Sequence, residues 1–212
     1  MPLHIKQTVP LMGVWKVNES AGELLSLLTQ TPANFLFPEK IHTESRKTEW
    51  LAVRVLLKDL LGEETVIAYH ANGAPYLPEK DLYISISHTK GYVAVLLLEK
   101  PPVGIDIEYR ANRILNVRSR FISPEEDSHI DPANEVAHLL IYWCAKEALF
   151  KMIGQNEVDF AKHMHVTPFP YNKSGGLTIT ETRTPQATTS YSLSYLVDDD
   201  FVLVHASLPK QG

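Results

Sequence analysis

A pair of carboxylates and a helical carboxylate–ammonium stripe are the groups of this chain best spaced for chemistry. Asp106 and Glu108 stand two apart, alternating with Val103, Ile105 and Ile107 in the run VGIDIE. On a β-strand that spacing projects both carboxylates from one face while the aliphatics anchor the other. Like charges so close repel, and a divalent cation relieves the repulsion. Mg²⁺ suits a few carboxylates completed by water and phosphate oxygens. A solvated strand face is the plain alternative. Downstream, Trp143, Glu147 and Lys151 follow at i, i+4 steps in WCAKEALFKMIG, so carboxylate and ammonium share a stripe with a large aromatic. A surface Glu–Lys pair, worth roughly 0.3 kcal/mol, would have the same spacing. The aromatic argues for an inward direction, where a carboxylate needs a partner; a role as third metal ligand, with a cation beside it, would supply one.

Other candidates carry stronger structural alternatives. Ser85, Ser87 and His88 end a β-rich run before a glycine-containing turn, where hydroxyl and imidazole donors could meet phosphate oxygens or simply finish the turn. Glu126 stands third after Ser123 and Pro124, the position of a capping-box glutamate. Cys144 has the small side chain of a helix-packing position and no histidine nearby in sequence, a poor setting for a nucleophile. His163 and His165 could ligate a metal from one strand face, but nothing around them completes a site.

These groups need elements to hold them. Ser20 and Glu23 form a capping-box pattern ahead of Leu24, Leu25, Leu27 and Leu28. From about Ser45 to Leu61 apolar residues recur at helical spacing among Arg46, Lys47, Arg54 and Lys58, with Gly62 as the stop. Asn72-Gly73 and the prolines at 75 and 78 mark turns. Leu82–Ser87 and Tyr92–Leu98 read as a hairpin joined by residues 88–91, followed by the Asp106/Glu108 strand. Asp131-Pro132 opens a helix running to about Ile153, and strands follow, notably Tyr191–Val197 and Phe201–Ala206. Laying Trp50 on Trp143 aligns Ala52 with Ala145 and Lys58 with Lys151, each helix preceding a β hairpin. Chance accounts for three identities as readily as duplication does. Duplication predicts an α+β fold of two similar lobes, 1–100 and 101–212, each an antiparallel sheet packed by a long helix, with the active site in the cleft between them.

Composition bounds the rest. The 212 residues, 44% hydrophobic and 21% charged, suffice for a core without disulfides. A net charge of -5 is opposite in sign to that of a nucleic-acid binder, so no nucleic-acid partner is expected. One cysteine suits a reducing compartment. Apolar runs such as Leu139–Ala145 fall far short of the roughly 20 residues that span a bilayer. The first ten residues lack the apolar core of a signal peptide. The reading is a cytoplasmic protein without membrane attachment, expected as a monomer.

VGIDIE at 103–108, WCAKEALFK at 143–151 and YISISHTKGYVAVLL at 83–97 together resemble, in order and spacing, the signature of the 4′-phosphopantetheinyl transferase superfamily, and within it the larger two-lobed Sfp-type class. The resemblance spans roughly residues 45–154. It implies transfer of the 4′-phosphopantetheine arm of coenzyme A to a serine of an apo acyl or peptidyl carrier protein, with Mg²⁺ as cofactor and adenosine 3′,5′-bisphosphate released. It implies Asp106, Glu108 and Glu147 as metal ligands, Glu147 as candidate base and Lys151 on the pyrophosphate. It also implies Ser87 and His88 as coenzyme A phosphate contacts, Lys146 as a member of the same helix motif, and Arg46 and Arg54 on a basic helix bordering the nucleotide. Glu126 resembles the acid of an F-S-x-x-E segment sometimes placed near the metal, so cap and catalytic roles stay open together.

Departures from the family pattern are Ala74, where many relatives carry the lysine of Gly-Lys-Pro, then Ile84, Thr89 and Cys144. The rival readings are a catalytically silent relative that binds coenzyme A or a carrier, and another Mg²⁺-dependent nucleotide enzyme. Carriers of this family are typically acidic. In this acidic chain a basic surface for one is expected at Arg110, Arg113, Arg118 and Arg120, directly after the Asp106/Glu108 strand; a helix or loop merely solubilised by these arginines is the alternative.

Overall fold

The computed structural model describes residues 2–29, 37–38, 41–154, 158–183 and 189–207, and the chain divides into two units, residues 1–100 and 101–212. Both are α+β with antiparallel sheets.

In the first unit β1 (Leu3–Thr8) and β2 (Leu11–Lys16) form a hairpin that no local signal above marks. Helix α1 (Ala21–Ser26) starts at the full Ser20/Glu23 capping box. Helix α2 (Glu44–Leu61) runs from Thr43, whose hydroxyl accepts from the Arg46 amide, to Gly62, whose φ of 78° ends it in the left-handed conformation. The Asn72-Gly73 turn joins two short strands, β3 (Ala68–Tyr69) and β4 (Pro75–Tyr76). The expected hairpin is present as β5 (Tyr83–Thr89) and β6 (Tyr92–Leu98), but its connection is shorter than expected. Thr89, β-branched and buried, pairs with Tyr92, so only Lys90 and Gly91 turn the chain and His88 lies within the strand. The sheet order is β1-β2-β6-β5. Helix α2 lies on β2 and β6, where Leu51, Leu56, Val93 and Val95 share a fully or almost fully buried core.

In the second unit β7 (Ile105–Tyr109) leads into the short helices α3 (Arg113–Val117) and α4 (Pro124–Asp127), the latter started by the Ser123/Glu126 capping box. Asp131-Pro132 opens a single 3₁₀ turn, and helix α5 (Glu135–Ile153) follows, ended by Gly154 at φ 59°. After α6 (Phe160–His163) come β8 (Met164–Val166), β9 (Ser174–Glu181), β10 (Thr189–Val197) and β11 (Phe201–Ala206), in the sheet order β7-β11-β10-β9-β8. The interior strand β11 is buried along its whole length, and α5 packs on β11 and β7. The approach is close: a Cβ built on Gly104, just ahead of β7, would stand 2.3 Å from the Ala148 carbonyl oxygen of α5. No helix among the described residues is long and apolar enough to cross a membrane.

Candidate active site

Strand β7 and helix α5 build the site. Pairing with β11 sets Ile107 opposite Leu203, and Ile105 and Ile107 are buried to 1% or less. Asp106 and Glu108, on the alternate positions, both meet α5. Lys151 Nζ donates to Asp106 Oδ1 at 2.9 Å and to the Ile105 carbonyl at 2.8 Å. Trp143 Nε1 donates to Glu108 Oε1 at 3.3 Å, and Arg113 Nη2 to Glu108 Oε2 at 2.7 Å. Glu147 lies on the stripe between Trp143 and Lys151, half-buried, and makes no hydrogen bond among the described residues. Burial most of all, then the charge of Asp106 and, less, that of Glu108, push its carboxyl up to about 7 against the opposing Lys151. Beside this cluster opens a groove of about 1120 Å³, lined by Glu108, Trp143 and Glu147 together with Arg113, Arg120 and Lys162.

The donor chemistry suits a hard divalent cation. Three carboxylates could supply oxygen ligands, and beside the burial that raises Glu147 most, the charges of Asp106 and Glu108 raise it further against the opposing Lys151. The expected convergence of the three on one point is not met as the side chains stand. Among the described residues no trio of histidine, cysteine or carboxylate side chains is gathered so as to hold an ion; Asp106 is paired with Lys151 and Glu108 with Arg113. His163 and His165 are occupied separately: His163 Nδ1 accepts from the Asp159 amide, and His165 lies 3.0 Å from the Lys162 carbonyl.

Lys146 belongs elsewhere. Its side chain is 0% exposed and its ammonium donates to Glu126 Oε2 and the Phe121 carbonyl, each at 2.7 Å, and to the Phe160 carbonyl at 3.2 Å. Burial lowers its proton affinity while Glu126 opposes the loss. A ligand-binding role at coenzyme A does not fit an ammonium so enclosed. Glu126, 3% exposed, also accepts from the Ser123 and Val166 amides at 2.8 Å, so its capping role is realised within a buried joint of α4, α5 and β8. Cys144 is buried with its thiol 3.8 Å from the Val202 carbonyl, and desolvation pushes it well above the ordinary thiol range, away from nucleophilic chemistry.

In the first unit Arg46 Nη1 lies 3.1 Å from His88 Nε2, and Glu49, which the sequence reading did not single out, stands 3.4 Å from Arg46 and 3.6 Å from His88. Its place one turn after Arg46 on α2 was the available signal. Arg54 lies over the Trp50 ring, 3.1 Å from the centroid, and donates to the Trp50 carbonyl at 3.0 Å. Burial brings it down to about 10, with Tyr69 opposing. Ser87 is buried on β5, and Ala74 sits in the β3–β4 turn, its carbonyl accepting from the His70 amide.

The four arginines after β7 do not form one free basic face. Arg118 is bound to Asp127 and to Glu135, which staples the segment to α4 and to the start of α5. Arg113 pairs with Glu108. Arg110 donates to the Asp198 and Asp199 carbonyls. Arg120 lines the groove and makes no ion pair among the described residues.

Comparison with known proteins sets this geometry in a family. The family model described as the 4′-phosphopantetheinyl transferase superfamily matches residues 102–204, which contain β7 and α5. The 4′-phosphopantetheinyl transferase AcpT of Escherichia coli strain K12 is 31% identical over 136 residues, covering 61% of this chain and 70% of the relative. A 4′-phosphopantetheinyl transferase of Bacillus subtilis is 31% identical over 87 residues, 39% of this chain and 38% of its own length. AcpT of Salmonella typhimurium is 29% identical over 142 residues, covering 64% and 69%.

Proposed function

Because this chain belongs to the 4′-phosphopantetheinyl transferase superfamily, we propose that it transfers the 4′-phosphopantetheine arm of coenzyme A to a serine of an apo carrier protein, releasing adenosine 3′,5′-bisphosphate. The observation that carries the reading is the meeting of β7 and α5, where Glu147 and Lys151 face Asp106 and Glu108 beside a groove. The serine oxygen bonds to the phosphorus that bears pantetheine as the bridging P–O bond of the pyrophosphate breaks. The serine proton passes to Glu147, which lines the groove beside Lys151 and Asp106. Lys151 orients the pyrophosphate by charge. Asp106, Glu108 and Glu147 would hold Mg²⁺, which when bound neutralises charge developing on the leaving group.

In this reading Arg46, Ser87 and His88 contact coenzyme A, supported by the exposed Arg46–His88 pair. Arg54 acts at one remove, through Trp50 and Tyr69. An acidic carrier docks at Arg110, Arg113 and Arg120, with Arg118 holding the segment in shape. The two units are read as domains arisen by duplication. What supports this is a shared order, in which the strand preceding the long helix pairs with the second strand of the closing hairpin: β2-β6-β5 in one unit and β7-β11-β10 in the other.

The test is incubation of the purified chain with coenzyme A, Mg²⁺ and a panel of apo carriers, followed by mass spectrometry. One carrier is expected to gain a single phosphopantetheine on serine, and EDTA is expected to stop the gain. Retention of coenzyme A without transfer to any carrier would instead identify a binding protein.

A further inference from the structure

We propose that Arg113 is an exchangeable internal counter-cation: a divalent cation entering at Glu108 displaces its guanidinium, which is then free on the groove wall. The inference rests on the metal-dependent reading above. As the side chains stand, both oxygens of Glu108 accept hydrogen bonds, Oε1 from Trp143 and Oε2 from Arg113 at 2.7 Å, so a cation arriving at either oxygen competes with the donor already there.

The surroundings decide which one. Trp143 is set on the 19-residue α5, its ring 5.2 Å from that of Phe121 and 5.8 Å from that of Phe160. The Arg113 side chain is 70% exposed, on a five-residue helix whose first turn gains no side-chain cap from Asn112. Exposed ion pairs of this kind are weak, since water and salt compete for both partners. Lys151 on Asp106 is the other cation in place, but it is 29% exposed and anchored twice, through Asp106 and the Ile105 carbonyl, so it stays.

Exchange changes the charge of the groove. Arg113, Arg120, Lys162 and Asp159 line it, and Lys162 is already paired with Asp159 at 2.9 Å. Once the metal neutralises Glu108, the released Arg113 stands beside Arg120 without its carboxylate. The metal-loaded chain therefore offers an anionic partner a more basic groove than the metal-free chain. Linkage makes the coupling reciprocal, because whatever favours the released arginine also favours the bound ion.

Titration of the full chain with Mn²⁺, read by electron paramagnetic resonance at fixed pH and ionic strength, tests the exchange. Arg113→Ala is expected to bind Mn²⁺ about two- to fivefold more tightly than the wild type, the scale of one exposed ion pair. Arg120→Ala, which removes a groove charge but no pair to Glu108, is expected to bind it unchanged. In a second arm, Mg²⁺ is expected to speed phenylglyoxal modification of Arg113, mapped by mass spectrometry, while leaving Arg120 unaffected. Equal or weaker Mn²⁺ binding by Arg113→Ala, or no effect of Mg²⁺ on Arg113 labelling, overturns the exchange and leaves the transferase reading standing. Absence of Mn²⁺ binding by the wild type overturns both the exchange and the metal ligands.

Discussion

Glu147 is the carboxylate on which the proposed chemistry turns, because it is half-buried, without a hydrogen bond among the described residues, and faces two further acids. Glu147→Gln keeps the shape and removes the charge. Transfer should fall by about 10²-fold or more, the usual scale for losing a positioned base, with the circular dichroism spectrum unchanged. A variant that still turned over at the wild-type rate would remove Glu147 from the mechanism. Its titration gives a second expectation. The carboxyl holds its proton up to about pH 7 folded but only to its ordinary 4.5 when exposed, so between these values the folded chain binds more protons than the unfolded one. Stability from this group is fully present below about 4.5 and is lost as pH rises to about 7, by about 3 kcal/mol at most. Urea unfolding in EDTA should show the wild type losing stability across that window relative to Glu147→Gln; identical pH profiles would contradict the assigned environment.

At the scale of elements, α5 presents two lysines to different surroundings. Lys151 faces β7 at the site, and Lys146 joins α5 to α4 through Glu126 in a pair that is 0% and 4% exposed. Removing one partner of a buried pair strands the other charge, so Lys146→Met should cost about 3–5 kcal/mol in urea unfolding. Loss of transfer in that variant should follow the loss of folded chain. A stable Lys146→Met chain with a raised KM for coenzyme A would return Lys146 to the ligand site. Much of this level is legible in the sequence. The Ser20 and Ser123 capping boxes, the Gly62 and Gly154 stops and the α5 stripe are local patterns, and each is realised. The β1–β2 hairpin is not legible, because its place is set by pairing of β2 with β6, some eighty residues later.

At the scale of the molecule, Arg46, Ser87 and His88, proposed for coenzyme A, belong to the first unit, and the residues proposed for the metal, with Lys151, belong to the second. Arg46→Ala and His88→Ala alter exposed side chains of the first unit, so neither should disturb the core. Each should raise the KM for coenzyme A several-fold while Mn²⁺ affinity, set in the second unit, stays at the wild-type value. A parallel loss of metal binding would show that the two roles are not separable by unit.

By itself the sequence determined the chemistry on offer: two acids on one strand face, an acid and a lysine on one helical stripe, and the order of elements that carries them. These follow from periods of two and 3.6 residues, which nearest neighbours enforce. Only the tertiary structure decided which charges are available. Arg113 and Arg118 are alike in sequence, yet one holds Glu108 and the other ties Asp127 to Glu135. Lys146 and Lys151 share a helix, yet one is sealed against Glu126 and the other reaches Asp106. Burial and pairing of a charge depend on what packs against it from distant parts of the chain, and desolvation makes that choice the larger energy.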